Sequence, residues 1–321
     1  MRRAGFLKGL GALAVAPALA RAQAPYPDKQ IRMVIPFAAG GTTDLLARAL
    51  GQHMMQAWGQ TVIADNRAGA NGVVAGEIVA KSPGDGYTLS MVAMGHAINP
   101  LIYKKLPYDG DKDFTPISLI ATFPQLVLVH PAVKARTLPE LIQLAKTASP
   151  PLAYASGGNG SSQHLAGALL AHMAGINLTH VAYKGGNPAQ LDLMAGNVQM
   201  MITQPNSKEL ITTGKMRALA VSSAKRSQYY PDLPTVAEAG VPGYESVAWY
   251  GLLGPKGMPP DLVKKIADEV VLACATEGAK TVVASQGGDM VASTPAAFAD
   301  FILAERERYA SIVRESGMAV E

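Results

Sequence analysis

Apolar and polar positions along the chain form two kinds of pattern: short apolar runs typical of strands, and longer segments with the apolar spacing of helices. Short apolar and β-branched runs predict strands at Ile31–Pro36, Thr61–Ala64, Thr88–Val92, Leu126–His130, Leu152–Ala155, Val181–Tyr183, Met200–Ile202 and Arg217–Val221. Apolar residues spaced three and four apart predict helices at Thr43–Trp58, Gly72–Lys81, Leu138–Ala148, Ser162–Ala174, Pro188–Ala195, Pro260–Thr276 and Pro295–Ser316. This alternation is typical of an α/β fold with mainly parallel sheet.

A glycine-rich turn joins the first predicted strand to the first predicted helix, in VIPFAAGGTTDLLARAL, residues 34–50. Gly40 and Gly41 let the backbone turn tightly and approach a ligand. Thr42 or Thr43 can cap the helix or donate a hydroxyl to a ligand. The free amides of a helix start favour an anionic oxygen, so this turn is a candidate anion site.

The residues of this turn limit which class of anion it can bind. It has neither G-x-x-x-x-G-K-[ST] nor G-x-G-x-x-G, and no lysine follows the glycines. A carboxylate or a polar carbonyl therefore suits it better than a phosphate. Asp44 lies in the first helical turn, four residues before Arg48, where it is expected to support the helix rather than act on a ligand.

A second turn of the same form is ASGGNGSSQHL, residues 155–165. It offers backbone amides and polar side chains with no acid, which again indicates a cradle for an anion or carbonyl. It contains no G-x-S-x-G nucleophile motif. His164 is expected to pack or cap the helix rather than act as a base, because no acid that could orient it is evident nearby.

The two matching turns suggest two α/β domains, each presenting one helix N-terminus. In open α/β sheets such turns lie at the carboxyl ends of the strands, where ligands bind.

The N-terminal segment predicts a cleavable signal peptide over residues 1–24. It has a basic start, MRRAGFLK, a short apolar run, GLGALAVAPALA, and small residues in ARAQA. Its arginine pair resembles a twin-arginine signal, and general secretion remains an alternative. The leader carries four of the 28 basic residues and none of the 24 acidic ones, so the mature chain is formally neutral. This balance argues against nucleic-acid binding.

Cysteine and histidine usage indicates no metal centre. The single cysteine, Cys274, falls in step with Leu262, Ile266 and Val270, which predicts a buried thiol. The six histidines are scattered, without H-E-x-x-H or C-x-x-C. We expect neither a metal nor a cofactor.

Six segments, in order along nearly the whole mature chain, resemble the solute-binding receptors of tripartite tricarboxylate transporters, the Bug receptors. They are YPDKQIRMVIPFAAGGTTDLLAR, DNRAGANGVVAGEIVAKSPGDGYTL, INPLIYKKLPYDGDKDFTPISLIA, SGGNGSSQHLAG, VAYKGGNPAQLDLMAGNV and GKMRALAVSSAKRSQYYPDLPTVAEAGVPGYE. The resemblance implies a type II periplasmic binding-protein fold. Lobe 1 would comprise residues 25–124 plus 248–321 and lobe 2 residues 125–247, with a hinge of two crossings and a ligand cleft.

The resemblance also implies a site and partners. Loops matching Phe37–Thr42 and Ser156–Ser162 would close on a carboxylate from opposite lobes, through amides, hydroxyls and water. The expected ligand-binding residues are Phe37, Ala39, Gly40, Gly41, Thr42, Ser156, Gly158, Asn159, Ser161, Ser162 and Thr203, supported by Asp44 and His164. Such a receptor would be a periplasmic monomer without enzymatic activity, delivering a small organic acid to two integral membrane subunits.

Departures from the family pattern bear on the ligand. Ala168 stands where the family usually has glutamate, and Gln199 and Thr203 replace two usual acids. Because threonine accepts less strongly than an acid from an amino or hydroxyl group, we expect plain mono- or dicarboxylates, including aromatic ones, rather than amino acids.

Two other functions stay open at this point. The closed receptor could dock on a sensor kinase of a two-component system. Alternatively, Ser156, Ser161 or Ser222 could serve a periplasmic hydrolase.

Overall fold

The structure, a computed structural model, describes residues 26–204 and 208–315. The predicted signal peptide and Ser316, the last residue of the last predicted helix, lie outside these residues. The strands are β1 (Ile31–Ile35), β2 (Val62–Asn66), β3 (Thr88–Ala93), β4 (Phe114–Pro124), β5 (Leu126–Val129), β6 (Leu152–Ser156), β7 (Leu178–Ala182), β8 (Met200–Thr203), β9 (Arg217–Val221), β10 (Val247–Pro255) and β11 (Asp289–Met290). The helices are α1 (Thr42–Trp58), α2 (Val73–Ala80), α3 (Gly95–Ile102), α4 (Leu138–Thr147), α5 (Ser162–Ala174), α6 (Gly186–Ala195), α7 (Lys208–Thr212), α8 (Pro260–Cys274), α9 (Glu277–Ser285) and α10 (Pro295–Glu315).

The strands form two sheets, one in each lobe. The first sheet has the order β11-β4-β10-β3-β1-β2, and the second has the order β7-β6-β8-β5-β9. Parallel pairs join β1 to β2 and β3, and β6 to β7 and β8. Antiparallel pairs join β10 to β3 and β4, β11 to β4, and β5 to β8 and β9.

The prediction of mainly parallel sheet is therefore wrong, because both sheets are mixed. Parallel neighbours in one sheet are joined through helical crossovers. By contrast, β5 follows β4 directly into the second sheet, and β10 returns the chain to the first sheet after residues 222–246. Strands that pass between the sheets in this way run against their neighbours.

The core of the first lobe shows how the apolar periodicity positions a loop. Ile31, Met33 and Ile35 of β1 are buried in one cluster with Leu46 and Leu50 of α1. Burial of each such side chain contributes about 1.5–3 kcal/mol. Strand and helix are thus packed together, and the turn between them is held at the sheet's edge.

The predicted buried thiol is confirmed. Cys274 lies 2% exposed at the end of α8, in the same core cluster. Burial raises the pKa of its thiol to about 12, so the thiol stays protonated at neutral pH.

The chain crosses between the sheets at Gln125, between β4 and β5, and again just before β10. Ser222 joins the two crossings. Its Oγ accepts from the Gln125 N–H at 2.8 Å and donates to the Ser246 carbonyl. The Ser246 hydroxyl lies 2.9 Å from the Tyr309 hydroxyl of α10. The predicted lobe boundaries at residues 124/125 and 247/248 stay a prediction, which the strand membership of the sheets supports.

No helix among the described residues is both long enough and apolar enough to cross a membrane.

Candidate functional site

The first loop links β1 to α1 and exposes its glycines. Gly40 has a φ of +84°, and Gly41 is the N-cap of α1 in extended conformation, with no side-chain cap. The expectation that Thr42 or Thr43 caps this helix is wrong, because both residues are already helical. The first amides of α1 therefore have no side-chain cap.

Asp44 holds this loop from behind. Its carboxylate accepts hydrogen bonds from the Gly40 N–H at 2.9 Å, Arg48 Nε at 3.0 Å and Asn66 Nδ2 at 3.0 Å. Asn66 Nδ2 also donates to the Phe37 carbonyl at 3.0 Å. Burial raises the pKa of Asp44, but the hydrogen bonds from Arg48, Gly40 and Asn66 outweigh it, so the net pKa is lowered. Sequence reasoning found the pair with Arg48 and missed Asn66.

The second loop links β6 to α5 and stabilises itself with its own polar groups. Ser156 is fully buried, its Oγ 2.6 Å from His180 Nε2, and it accepts from the Gly158 N–H at 3.1 Å. Ser161 is the N-cap of α5, and its Oγ accepts from the His164 N–H at 3.3 Å. Two candidate serines thus shape the loop itself.

His164 and His180 lie stacked behind this loop. Their ring centroids are 3.7 Å apart and the planes differ by 4°. His164 Nδ1 accepts from the Gly160 N–H at 3.1 Å. Burial, and secondarily the neighbouring His180, lowers the pKa of His164 to about 3, and burial lowers that of His180 to about 4. Both rings are neutral at pH 7 and act as packing and hydrogen-bonding groups.

Thr203 supports the second loop through a residue that sequence reasoning missed. Gln163 Oε1 accepts from the Gly157 N–H at 2.6 Å, and Gln163 Nε2 donates to Thr203 Oγ1 at 2.9 Å. Thr203 is 2% exposed at the end of β8.

The other two departures from the family pattern lie in structural surroundings. Gln199 Oε1 accepts from the Ala153 N–H at 2.9 Å, and Ala168 is buried in α5.

Tyr250 of β10 brings the start of α1 close to the end of β8. Its hydroxyl accepts from Gln204 Nε2 at 3.4 Å and faces the Thr42 and Thr43 side chains. Burial raises the pKa of Tyr250, and hydrogen bonding to these three residues partly offsets the rise. This strand was not predicted, although its apolar run, VAWYGLLGP, could have indicated it.

The remaining predicted residues lie at the edges of the two loops. Ala39 and Asn159 are exposed, and Ser162 Oγ accepts from Gln125 Nε2 at 3.4 Å. A cavity of about 20 Å³ lies beside the first loop in the first lobe, and of the predicted residues only Phe37 lines it. Within residues 26–204 and 208–315, no group of three or more histidines, cysteines or acids is placed to hold a metal.

A comparison with protein families decides the class of this protein. The model of the tripartite tricarboxylate transporter family receptor matches residues 46–318. The chain belongs to this receptor family. The match agrees with the sequence resemblance and with two α/β lobes.

Solved structures of receptors agree with this assignment. R. palustris Rpa4515 with adipate has a TM-score of 0.81 at 35% identity, covering 92% of this chain and 99% of that one. The periplasmic binding protein BugD has a TM-score of 0.79 at 31% identity, covering 92% and 100%. MatC from Rhodopseudomonas palustris with bound malate has a TM-score of 0.78 at 30% identity, covering 90% and 100%. The receptor shares their two-lobe periplasmic binding-protein fold.

Proposed function

We propose that this receptor captures a small organic carboxylate in the periplasm and delivers it to the membrane subunits of a tripartite tricarboxylate transporter. The observation that carries the proposal is the start of α1, where exposed Gly40 and Gly41 precede helix amides that no side chain caps. Such amides favour an anion. The similarity to receptors with adipate and with malate supports a carboxylate.

The ligand class follows from Thr203. Its hydroxyl already accepts a hydrogen bond from Gln163, and it carries no charge to pair with an ammonium group. We therefore propose plain mono- or dicarboxylates, including aromatic ones, over amino acids.

Lobe closure provides the mechanism of capture. A ligand held by both the Phe37–Thr42 and Ser156–Ser162 loops stabilises the closed state by its differential affinity for that state. The membrane subunits would then recognise the closed receptor. The predicted signal peptide supports a periplasmic location.

The hydrolase alternative gains no support from the serines. Ser156 and Ser222 are each 0% exposed, and Ser161 Oγ caps α5. We propose that the receptor has no enzymatic role. No observation favours a sensor kinase over transporter subunits as the partner.

A thermal-shift and calorimetric screen of the mature receptor tests the proposal, because a ligand of the folded state raises the melting temperature by mass action. Adipate, malate and benzoate represent plain, hydroxylated and aromatic carboxylates, and glutamate represents the amino acids. We expect saturable binding of at least one of the first three. Tight binding of glutamate with none of the others would overturn the ligand class.

A further inference from the structure

One side chain of the first lobe reaches directly into the second ligand loop. Asn71, in the 3₁₀ turn Ala70–Gly72 between β2 and α2, donates from Nδ2 to the carbonyl oxygen of Gly160 at 3.1 Å. The first sheet and its helices carry Asn71, whereas Gly160 precedes α5 beside the second sheet. This hydrogen bond therefore exists only while the two lobes are together.

Asn71 is also held in place within its own lobe. Its Nδ2 also donates to Asn99 Oδ1 at 3.2 Å, and Asn99 Nδ2 donates back to the Asn71 carbonyl at 3.1 Å. One amide nitrogen has two hydrogens, so it can serve both acceptors. Asn71 has a φ of +51°, a conformation that asparagine adopts more readily than most residues. Asn99 is 1% exposed, which fixes the pair in the first lobe.

Gly160 is fixed from both sides. Its N–H donates to His164 in its own lobe, and its carbonyl accepts from Asn71 in the other lobe. Its φ is +72°, and a Cβ added there would lie 2.6 Å from Cδ1 of Ile102, at the end of α3. The Gly160 backbone therefore packs so closely against the first lobe that no side chain would fit at this position. Ser161, the N-cap of α5, follows immediately.

We propose that Asn71 is a closure clasp, a positioning residue that ties the second ligand loop to the first lobe and gives that loop its final geometry only in the closed state. The proposal rests on the proposed function of this site as a closing receptor. The clasp stabilises the closed state without contacting ligand, so it slows ligand release rather than selecting the ligand.

Two substitutions remove the amide in different ways. Asn71→Gly keeps the left-handed backbone free of strain. Asn71→Asp keeps the shape but turns a carboxylate oxygen toward the Gly160 carbonyl. Asn197→Asp is the matched control, because Asn197 is exposed and bonds Asp192 within the second lobe.

The readout is the distance between the lobes. Single-molecule energy transfer between dyes at Gln56→Cys on α1 and Leu191→Cys on α6 reports closure, and buried Cys274 does not compete for labelling. Adipate is the probe ligand, with its dissociation rate measured by stopped flow. The loss of one such hydrogen bond is expected to raise that rate about 3- to 10-fold in both Asn71 variants.

The expected result is a smaller closed fraction and faster adipate release in both Asn71 variants, with the Asn197→Asp control like wild type. If both variants match wild type in closed fraction and release rate, the clasp is wrong. If adipate, malate and benzoate all leave the wild-type distance unchanged, the proposed function fails. In that case the clasp is tested by the fraction of closed molecules without ligand. Equal fractions in wild type and in both Asn71 variants would overturn the clasp.

Discussion

The two candidate ligand loops share one sequence form, a strand followed by paired glycines, hydroxyl residues and a helix, yet they are built differently. The first loop has a glycine N-cap and a charged support, Asp44, behind it. The second loop has a serine N-cap and neutral supports, Gln163 and His164. The anion-attracting groups of the two loops are therefore unequally available.

The difference lies in the hydrogen-bond partners of the backbone amides. In the second loop, the N–H groups of Gly157, Gly158 and Gly160 are bonded within the loop to Gln163, Ser156 and His164. In the first loop, Gly40 alone bonds to Asp44, and the helix start after it has no side-chain cap. We expect the first loop to bind the charged carboxylate group of the ligand and the second loop to define the shape of the binding site.

The largest effect is expected from Gly41→Val. Gly41 has a φ of −82°, and an added Cβ would lie 3.7 Å from the Ala38 carbonyl, an ordinary contact, so the fold should persist. Because the side chain would stand over the helix amides, carboxylate affinity should fall at least about 100-fold, or about 2.7 kcal/mol. Calorimetry measures the loss, and circular dichroism checks the fold.

Gly278→Val provides the control for this substitution. An added Cβ at Gly278, in α9, meets no heavy atom within 4 Å. Unchanged affinity in Gly41→Val would show that the first loop is not the site.

The second largest effect is expected on folding stability when the pH is lowered, and it differs between the groups behind the two loops. The pKa values of His164 and His180 are lowered to about 3 and about 4, so between about pH 4 and 6.5 the unfolded chain binds more protons than the folded one. Stability from this pair is therefore present above pH 6.5 and falls as the pH drops, by at most about 1.4 kcal/mol per pH unit for each histidine. The pKa of Asp44 is also lowered, so its contribution is lost only below its ordinary value of 3.8.

Urea unfolding at pH 7, 6 and 5 measures this slope in wild type and in a His164→Asn, His180→Asn double variant. His96 has a pKa lowered to about 4 by burial and then by Arg306, and it is present in both proteins, so the difference in slope isolates the stacked pair. Identical slopes in the two proteins would show that the stacked histidine pair does not cause the loss of stability at low pH.

A smaller effect is expected from Thr203→Val, which keeps the volume but removes the acceptor for Gln163. Leaving the Gln163 amide without this partner should cost about 1–2 kcal/mol of stability. Carboxylate affinity should fall less than in Gly41→Val, because the second loop contributes shape. Unfolding and calorimetry measure the two effects, and a loss of affinity as large as that of Gly41→Val would contradict the division of roles.

The smallest effect is expected from Asp44→Asn. The amide keeps the contact with the loop but loses the charge that Arg48 and the Gly40 N–H bind, so affinity should weaken only about threefold, comparable with one weak hydrogen bond. A loss of 100-fold or more in calorimetry would mean that Asp44 acts on the ligand directly.

Much of the architecture followed from local patterns, while long-range pairing did not. The predicted helix starts of α1, α4, α5, α8 and α10 agree with the structure to within one residue. The local patterns did not predict β4, β10, β11, α3, α7 and α9. The apolar runs of β4 and β10 are visible, but prolines interrupt or end them, and Pro100 lies inside α3.

The candidate site was also predictable only where its features are local in the sequence. Glycines and hydroxyls indicated both loops, because their conformational needs are local. Asn66, Gln163 and Tyr250 were missed, because most of their partners lie between 22 and more than 200 residues away in the chain, which no local period reports. The assignment of Thr42 or Thr43 as a cap failed for the opposite reason. Glycine can hold the N-cap position without a side chain, and it left the helix start open.

The position of β10 in the first sheet also sets the order in which the receptor can be assembled. β10 lies between β3 and β4, so these two strands have no contact through the sheet until the chain has been made as far as Pro255. All five strands of the second sheet are available once Val221 has been made. During synthesis, the second lobe can therefore fold while the first sheet is still in two pieces, and the cleft between the lobes forms only after β10 has joined them.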